Sequence, residues 1–435
     1  MKRDTKWFQS DLLGERYSLT RHQSGLPIYV FPKKLTTTYA LFAADFGSVD
    51  NVLPGGALLP DGVAHFLEHK LFSNADGSDS FERFSALGAD ANAYTAESRT
   101  VYLFSCTERF EESLAELLDF ATHPYFTPET VQKEQGIIAE EIRMCRDNPY
   151  NLCFYGMLAG LYENHPVKTE ICGSEASIKE ITPDLLYQAY RTYYQLPNMA
   201  LIVCGDVDTE AVLAVADAHL PQTAVPFTEP PCRITAEKPR AAAPLTVARG
   251  QVAKPVFCIG VKDANLPADP AERTERDILL SVLNEMLFSS SGELYNRLYD
   301  SNMISPGLST DYVLTRDFGF WYLSGEADDP EAVFGEIRRF IEDKQKTGLD
   351  PADFERCRRV EYAEYIKGFD STEEIANTLL SFVFEKSDYF GYADVVRQLS
   401  FEKAEQLFRQ FFRPEAYTLS VVLPWDAPDK ENTHE

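Results

Sequence analysis

The segment Gly62-Val63-Ala64-His65-Phe66-Leu67-Glu68-His69-Lys70-Leu71-Phe72 is the part of this sequence that decides its interpretation. An α-helix turns about 100° per residue, so His65, Glu68 and His69 would share one face. The other positions before Lys70 are apolar, which predicts a buried helix. Because polar groups are costly to bury without partners, this face needs an explanation. A zinc ion bound by the two imidazoles would supply one, and the carboxylate one turn away could then act as a general base.

The composition is that of an ordinary soluble protein. A chain of 435 residues is too long for one hydrophobic core and predicts two or more domains. The formal charge of −27 argues against a nucleic-acid partner, and no apolar run approaches the roughly 20 residues of a membrane span. Eight cysteines occur without a Cys-x-x-Cys pair, and no signal-peptide pattern opens the sequence. Together these features favour reduced thiols in a cytoplasmic protein.

The second half of the sequence repeats the first. The stretch from Thr182 to Val203 resembles the stretch from Ser400 to Val421, and Thr127-Pro128-Glu129 resembles Asp350-Pro351-Ala352. Six prolines crowd residues 221–244, which is typical of a linker. We therefore expect two homologous units: an N-terminal metal-binding unit at 1–220, a Pro-rich linker at 221–245, and a C-terminal unit without metal ligands at 246–435.

The repeat also provides an internal control for the metal motif. A second interpretation of residues 62–72 has no metal, with hydrogen-bonded histidines in a core helix and Glu68 on the surface. In the second copy, the apolar residues of the segment are kept and its metal-binding residue types are lost. Packing alone therefore does not require histidines here, which favours a metal-binding role over the interpretation without a metal. The aligned residues are Ser281 for His65, Asn284 for Glu68, and Glu285 for His69.

A third metal ligand is needed, because catalytic zinc usually has three protein ligands and one open position. Thr127 and Pro128 predict the start of a helix that carries Glu134 and Glu141 about two turns apart on one face. The sequence alone does not rank these two carboxylates. Histidines also remain open as ligands, and the apolar residues of the helix predict that it is mostly buried. The histidines are His22, His123, His165, His219 and His434, of which His434 in the polar tail is the poorest; the apolar residues are Ile137, Ile138, Ala139 and Ile142.

At this point the sequence resembles a known family, the inverted zincins of the pitrilysin/insulinase type. The resemblance lies in His65-x-x-Glu68-His69 followed about 70 residues later by Glu134-x6-Glu141. Flanking segments are similar as well, and with the duplication they extend the resemblance over nearly the whole chain. These segments are Gly47-Ser48, Asn92-Ala93-Tyr94-Thr95, His165-Pro166, Gly173, Tyr193-Tyr194, Asn198-Met199 and Gly205-Asp206-Val207.

The resemblance implies a fold and a set of roles. The fold would be α+β, an α/β sandwich of two duplicated units, each an antiparallel-rich sheet packed with helices, forming half of a clamshell. Zn2+ would be bound by His65, His69 and Glu141, with Glu68 as the general base and Glu134 supporting the ligands from outside. The activity would be hydrolysis of peptides by a zinc metalloendopeptidase. The peptide would pair with an edge strand formed by Ala91, Asn92, Ala93 and Tyr94.

One feature departs from the family pattern. Active members carry an Arg and a Tyr seven residues apart in the second unit, where this sequence has Tyr299 and Pro306, with Arg297 close but out of register. In small bacterial members, the zinc motif and the Arg/Tyr pair are often on different chains. The sequence resembles the zinc-bearing partner, the insulinase-like type associated with modification of elongation factor P. We therefore expect a homodimer, or a heterodimer with a homologous chain lacking the zinc motif; the alternative is a non-proteolytic assembly or peptide-binding scaffold.

Overall fold

Two β-sheets covered by helices organise the chain. A computed structural model describes residues 4–224, 226–233 and 235–427. The strands of the first half are β1 (Thr5–Ser10), β2 (Glu15–Arg21), β3 (Pro27–Pro32), β4 (Thr38–Ala44), β5 (Asp90–Thr95), β6 (Thr100–Cys106) and β7 (Met199–Gly205). Its helices are α1 (Val63–Leu71), α2 (Ser80–Leu87), α3 (Phe110–Thr122), α4 (Pro128–Asp147), α5 (Pro149–Leu161), α6 (Glu175–Lys179), α7 (Pro183–Tyr193) and α8 (Thr209–His219).

The second half contains the same kinds of element in a similar sequence order. Its strands are β8 (Leu245–Gly250), β9 (Val256–Lys262), β10 (Ser309–Leu314), β11 (Gly319–Glu326) and β12 (Tyr417–Pro424). Its helices are α9 (Pro270–Phe288), α10 (Glu293–Asp300), α11 (Pro330–Thr347), α12 (Pro351–Lys367), α13 (Thr372–Phe384), α14 (Gly391–Gln398) and α15 (Phe401–Phe411). The described residues between α8 and β8, where the linker was expected, form neither helix nor strand.

The two sheets share one topology, which confirms the predicted duplication and the α+β class. Within the described residues, the first sheet has the order β1-β2-β3-β7-β4-β6-β5, and the second has the order β10-β11-β9-β12-β8. The order β5-β6-β4-β7-β3 is thus repeated strand for strand. Each sheet is antiparallel apart from one parallel pair, β3 with β7 and β8 with β12. In both sheets the hairpin strand β5 or its counterpart β10 lies at an edge.

Each compact unit includes one helix from the other half of the sequence. One unit comprises the described residues of 4–142, 170–233 and 365–390, and the other those of 143–169, 235–364 and 391–427. As a result, α13 packs on β4 and β7 of the first sheet, whereas α5 packs on β8, β9 and β12 of the second. The boundaries expected from the repeat, 1–220, 221–245 and 246–435, stay a prediction about the duplicated units. The compact units do not follow them at α5 and α13.

Local sequence explains where the two helices of the metal motif begin. Gly62 precedes α1 with φ of 91°, a conformation that side chains disfavour. A Cβ at Gly62 would also lie 2.5 Å from the carbonyl oxygen of Cys172, so only glycine fits there. At α4, the Thr127 hydroxyl accepts the N–H of Thr130 at 3.2 Å, which is the helix start that the sequence predicted.

None of the helices in the described ranges combines the length and the hydrophobicity that crossing a bilayer requires.

Helix α5 contacts the second sheet through glycines, which makes this contact testable. A Cβ at Gly160 would lie 2.2 Å from the hydroxyl oxygen of Thr418, a fully buried residue on β12. That hydroxyl donates to the carbonyl of Ala243 at 2.7 Å, so it is not free to move aside. We expect Gly160→Ala to lower the free energy of unfolding by about 1–3 kcal/mol, measured by urea denaturation.

Gly335→Ala in α11 of the same unit is the matched control. A Cβ there meets no atom within 4 Å. Alanine should therefore stabilise this helix by about 0.5–1 kcal/mol through its better helix propensity. Equal effects of the two substitutions would contradict close packing of α5 on β12.

Candidate metal centre

The face of α1 predicted from the motif carries the expected side chains close together. The rings of His65 and His69 lie with centroids 4.6 Å apart, and His65 and Glu68 are each only 9% exposed. The nitrogen and oxygen atoms that His65, His69 and Glu141 offer as ligands all lie within 4.8 Å of one another. Within the described residues, this is the one group of three or more His, Cys, Asp or Glu side chains close enough to hold a metal ion.

Packing of α4 against α1 separates the two carboxylates that the sequence could not rank. Glu141 faces both imidazoles, with Oε1 3.4 Å from Nε2 of His65 and Oε2 3.5 Å from Nε2 of His69. Glu134 lies on the other side of the His69 ring, with Oε1 3.1 Å from Nδ1. The two carboxylates thus have different positions. Glu141 lies where a ligand would, and Glu134 lies where it can hold the His69 ring in one orientation.

The other histidines considered as ligands are bonded elsewhere. None of those in the described residues belongs to the group around Glu141, and His434 lies outside the described residues. The bonds are His22 to Ser24 and Asp217, His123 to the Asp119 carbonyl, His165 to the Val167 N–H, and His219 to the Asp119 carboxylate.

The electrostatics of the group favour a positive charge. Burial lowers the pKa of His69, but its hydrogen bond to Glu134 and the charges of three neighbouring carboxylates outweigh that effect and raise the pKa. The hydrogen bond from His65 lowers the pKa of Glu141, against the effect of burial. Two imidazoles and a carboxylate are also the donor set of many catalytic zinc sites. The residues present therefore fit a divalent cation, because the electrostatic potential of the group favours positive charge and its donor atoms are those of zinc sites.

Lys70 is a part of this region that sequence reasoning missed. Its side chain is buried, with only 1% of the residue exposed. The ammonium nitrogen donates to the Ser73 hydroxyl at 3.0 Å and lies 3.9 Å from Oε2 of Glu134. Burial lowers its pKa, which the charge of Glu134 partly opposes. Lys70 thus lies behind the carboxylate that contacts His69.

Glu68 projects from α1 toward the end of β5. The Thr95 hydroxyl donates to Oε2 of Glu68 at 2.6 Å, and no other hydrogen bond to this carboxylate occurs in the described part of the chain. The other oxygen, Oε1, therefore remains available to accept a proton. The sequence placed Thr95 on the strand but gave no indication of this contact.

The predicted substrate strand is an edge strand in the structure. Asn92 is exposed, while Ala91, Ala93 and Tyr94 are partly exposed. The Ala93 N–H donates to Oδ1 of Asn92 at 2.9 Å, and the Tyr94 hydroxyl donates to Asn377 on α13 at 3.0 Å. The same arrangement recurs on β10, where the N–H of Tyr312 donates to Asp311 at 2.7 Å. Both edges thus carry a side chain that covers a backbone donor.

The residues at the family's Arg/Tyr positions are on or near α10. Tyr299 on α10 is 46% exposed and its ring stacks on Tyr295. Arg297 pairs with Glu336 at 3.0 Å and lies over the Phe340 ring. This arginine is therefore already engaged within its own unit. Pro306 follows α10 and contributes no side-chain donor.

The second unit shows what replaces the metal residues. Its aligned side chains bond to other residues of the same unit, through hydrogen bonds and an ion pair. Ser281 donates to Glu361 at 2.5 Å, Asn284 accepts from Thr310 at 2.8 Å and from Trp321 at 2.9 Å, and Glu285 pairs with Arg356 at 3.5 Å.

Comparison with known proteins identifies the family. The profile described as insulinase (peptidase family M16) matches residues 60–175, and the profile described as the peptidase M16 inactive domain matches residues 180–361. The uncharacterized zinc protease YmfH of Bacillus subtilis is 35% identical over 413 residues, which cover 92% of this chain and 95% of that protein.

Solved structures give the same result. A crystal structure described as that of an M16-like peptidase from Alicyclobacillus acidocaldarius has 30% identity and a TM-score of 0.87, covering 98% of this chain and 99% of the other. The periplasmic protease PqqL of Escherichia coli has 19% identity and a TM-score of 0.73, covering 96% of this chain but only 48% of PqqL. The chain belongs to the insulinase family, peptidase family M16.

Proposed function

We propose that the protein is a zinc-dependent endopeptidase that hydrolyses peptides or unfolded segments inside a clamshell chamber in the cytoplasm. The observation that supports this most directly is the convergence of the Nε2 atoms of His65 and His69 on the Glu141 carboxylate. Zinc would be held by these three side chains. When bound, it supplies Lewis-acid chemistry, which polarises a peptide carbonyl and makes a water molecule more acidic.

The carboxylates of the site have separate roles in this proposal. Glu134 accepts a hydrogen bond from Nδ1 of His69, which leaves the lone pair of Nε2 for the metal. Glu68 takes the proton of the attacking water at Oε1 and delivers it to the nitrogen of the leaving amine. A C–O bond forms and the peptide C–N bond breaks, so the carboxylate is regenerated at the end of the cycle.

The edge strand would hold the substrate. A peptide that adds to β5 gains backbone hydrogen bonds without regard to its side chains, which suits an enzyme for unfolded segments. The residues that we expect to contact it are Ala91, Asn92, Ala93 and Tyr94. To accept a strand at the Ala93 N–H, the Asn92 side chain must first release it.

A second chain would complete the active site. Tyr299 and Pro306 replace the family's Arg/Tyr pair, and Arg297 is engaged with Glu336. PqqL is about twice as long as this chain, which supports a pair of chains of similar size. We propose a homodimer, or a heterodimer with a homologue that supplies the Arg/Tyr pair and lacks the zinc motif.

The second candidate function is a non-proteolytic scaffold that binds peptides or assembles with a partner. The missing Arg/Tyr pair favours it. The convergence of His65, His69 and Glu141 beside Glu68 opposes it, since a scaffold has no need for this set.

Metal content tests the proposed ligands. We expect the purified protein to retain one zinc per chain after dialysis, and His65→Ala to lose it because one of two imidazole ligands is removed. The measurement is elemental analysis against protein concentration. The exposed His123 lies outside the group, so His123→Ala should keep full zinc content. Full occupancy in His65→Ala would place the metal elsewhere.

Removal of the general base tests the chemistry. We expect Glu68→Gln to keep its zinc while the cleavage rate falls by about 100-fold or more, since glutamine cannot accept the proton. The assay is digestion of a peptide library, with and without a chelator, by this chain alone and with its candidate partner. Glu82→Gln on the exposed part of α2 should leave the rate unchanged. Cleavage at the wild-type rate by Glu68→Gln would refute this role.

Substitution of Ala93 tests the edge strand. Ala93→Pro removes the backbone donor that Asn92 covers, and proline is tolerated at sheet edges. We expect KM for peptides to rise several-fold, with zinc content retained. Ala93→Ser keeps the N–H and serves as the control. An unchanged KM in Ala93→Pro would mean that peptides do not pair with β5 at this residue.

A further inference from the structure

We propose that Thr95 is a positioning residue for Glu68, and that a backbone contact of Gly47 with the β5–β6 turn fixes Thr95 in place. This inference rests on the function proposed above, in which Glu68 is the general base. The Thr95 hydroxyl is the single hydrogen-bond donor to the Glu68 carboxylate in the described residues, and the distance of 2.6 Å is that of a charge-assisted bond.

A general base on a helix needs such a partner. The carboxylate of Glu68 is at the end of a flexible side chain and would otherwise rotate freely about its last bond. The bond to Oε2 fixes the plane of the carboxylate and directs Oε1 away from Thr95. Threonine is suited to this task, because its branched side chain has few rotamers and holds the hydroxyl still.

The turn that follows Thr95 is held by backbone hydrogen bonds to the segment after β4. The N–H of Ser48 donates to the carbonyl of Ala96 at 3.1 Å, and the N–H of Val49 donates to the carbonyl of Glu97 at 3.0 Å. At Gly47 the two backbones come so close that a Cβ would lie 2.3 Å from the carbonyl carbon and oxygen of Glu97. Only glycine permits this approach.

Two side chains stabilise this contact between the segment after β4 and the hairpin. The carboxylate of Asp50 accepts the N–H of Gly47 at 3.0 Å, which holds the glycine segment in its turn. The hydroxyl of Thr100, the residue opposite Thr95 in the hairpin, donates to the carbonyl of Phe46 at 2.9 Å. Both strand ends of the hairpin are thus tied to the same short segment, which restrains the backbone at Thr95.

The second unit shows that the hairpin itself does not need these residues. The pair Thr95 and Thr100 at the end of β5–β6 corresponds to Leu314 and Gly319 at the end of β10–β11. Neither of those side chains carries a hydroxyl, and Asn284, at the position of Glu68, is bonded to Thr310 and Trp321 instead. The same fold therefore closes its hairpin without a hydroxyl at these two positions. The Thr315 hydroxyl, one residue further along, donates to the carbonyl of Phe318 at 3.0 Å instead. At the position aligned with Thr95, a hydroxyl therefore occurs only in the unit that carries Glu68, whereas Asn284 receives its hydroxyl from Thr310, at a different position of the strand.

Removal of the hydroxyl without a change of shape tests the proposal. We expect Thr95→Val to lower kcat for peptide cleavage by about 10- to 100-fold, the usual worth of a hydrogen bond to a charged group. KM and zinc content should stay at the wild-type values. Thr95→Ser keeps the donor and should restore kcat to within about threefold of wild type. A structural role alone would lower thermal stability in Thr95→Val and leave kcat near that of Thr95→Ser.

A second readout does not depend on turnover. The visible absorption of the cobalt-substituted protein reports on the surroundings of the metal. We expect the spectrum of Thr95→Val to shift toward that of Glu68→Gln, and the spectrum of Thr95→Ser to match wild type. Gly47→Ala should give the same shift and faster amide hydrogen exchange at residues 95–100, whereas Ser48→Ala, which keeps every backbone contact, should give neither.

The outcomes separate this inference from the proposed function. If wild type cleaves peptides, Glu68→Gln does not, and Thr95→Val matches wild type in kcat and in its cobalt spectrum, the positioning role is overturned while the peptidase stands. If wild type and Glu68→Gln are equally inactive with a candidate partner present, the proposed function fails. The cobalt spectra then still decide whether Thr95 orients Glu68.

Discussion

The structure of this site depends on one interaction, the approach of the Glu141 carboxylate on α4 to the two imidazole Nε2 atoms on α1. A hydrogen bond from His65 and the charges of the two imidazoles stabilise this approach and lower the pKa of Glu141, against the effect of burial. The approach is possible because both helices also bury apolar side chains. Phe66 and Leu67 of α1 and Ile138 and Ile142 of α4 are fully buried. The core therefore sets the spacing of these three side chains, which exposed side chains could not do by themselves.

Periodicity predicted much of this arrangement from the sequence, and packing determined the rest. The spacing of His65, Glu68 and His69 was enough to place them on one face, since that follows from helix geometry alone. The choice between Glu134 and Glu141 was not accessible, because residues seven apart share a face and only the neighbouring helix distinguishes them. The helix that carries them was expected to be mostly buried, but of the 20 residues of α4 only Val131, Ile138, Ala139 and Ile142 are buried, and Ile137 is 47% exposed. That prediction was wrong. The buried stripe of α4 runs along Ile138 and Ile142. The apolar composition of a helix does not specify which of its apolar residues face the core.

Sequence patterns did not predict two further features, the burial of Lys70 and the placement of α5 and α13, for different physical reasons. Lysine is the residue least expected in a core, so Lys70 gave no signal, although its ammonium lies beside Glu134 and balances part of the negative charge near His69. The exchange of α5 and α13 between the compact units is a long-range effect. Each helix has ordinary local signals, such as the Asn148 cap before Pro149, and these signals specify a helix without specifying the sheet that it covers.

The duplication separates what the fold requires from what the chemistry requires. The second unit closes the same sheet and buries a helix at the place of α1, with Asn284 satisfied by Thr310 and Trp321. A low-energy solution for this position therefore exists in the same chain. The first unit instead concentrates three carboxylates around two imidazoles, an arrangement whose repulsion only a cation relieves fully. What both units retain is a protected edge, in which Asn92 or Asp311 covers the next backbone N–H. Such covers prevent unspecific strand pairing. Because the Asn92 amide is exposed and can exchange its bond for water, releasing the N–H of Ala93 costs little.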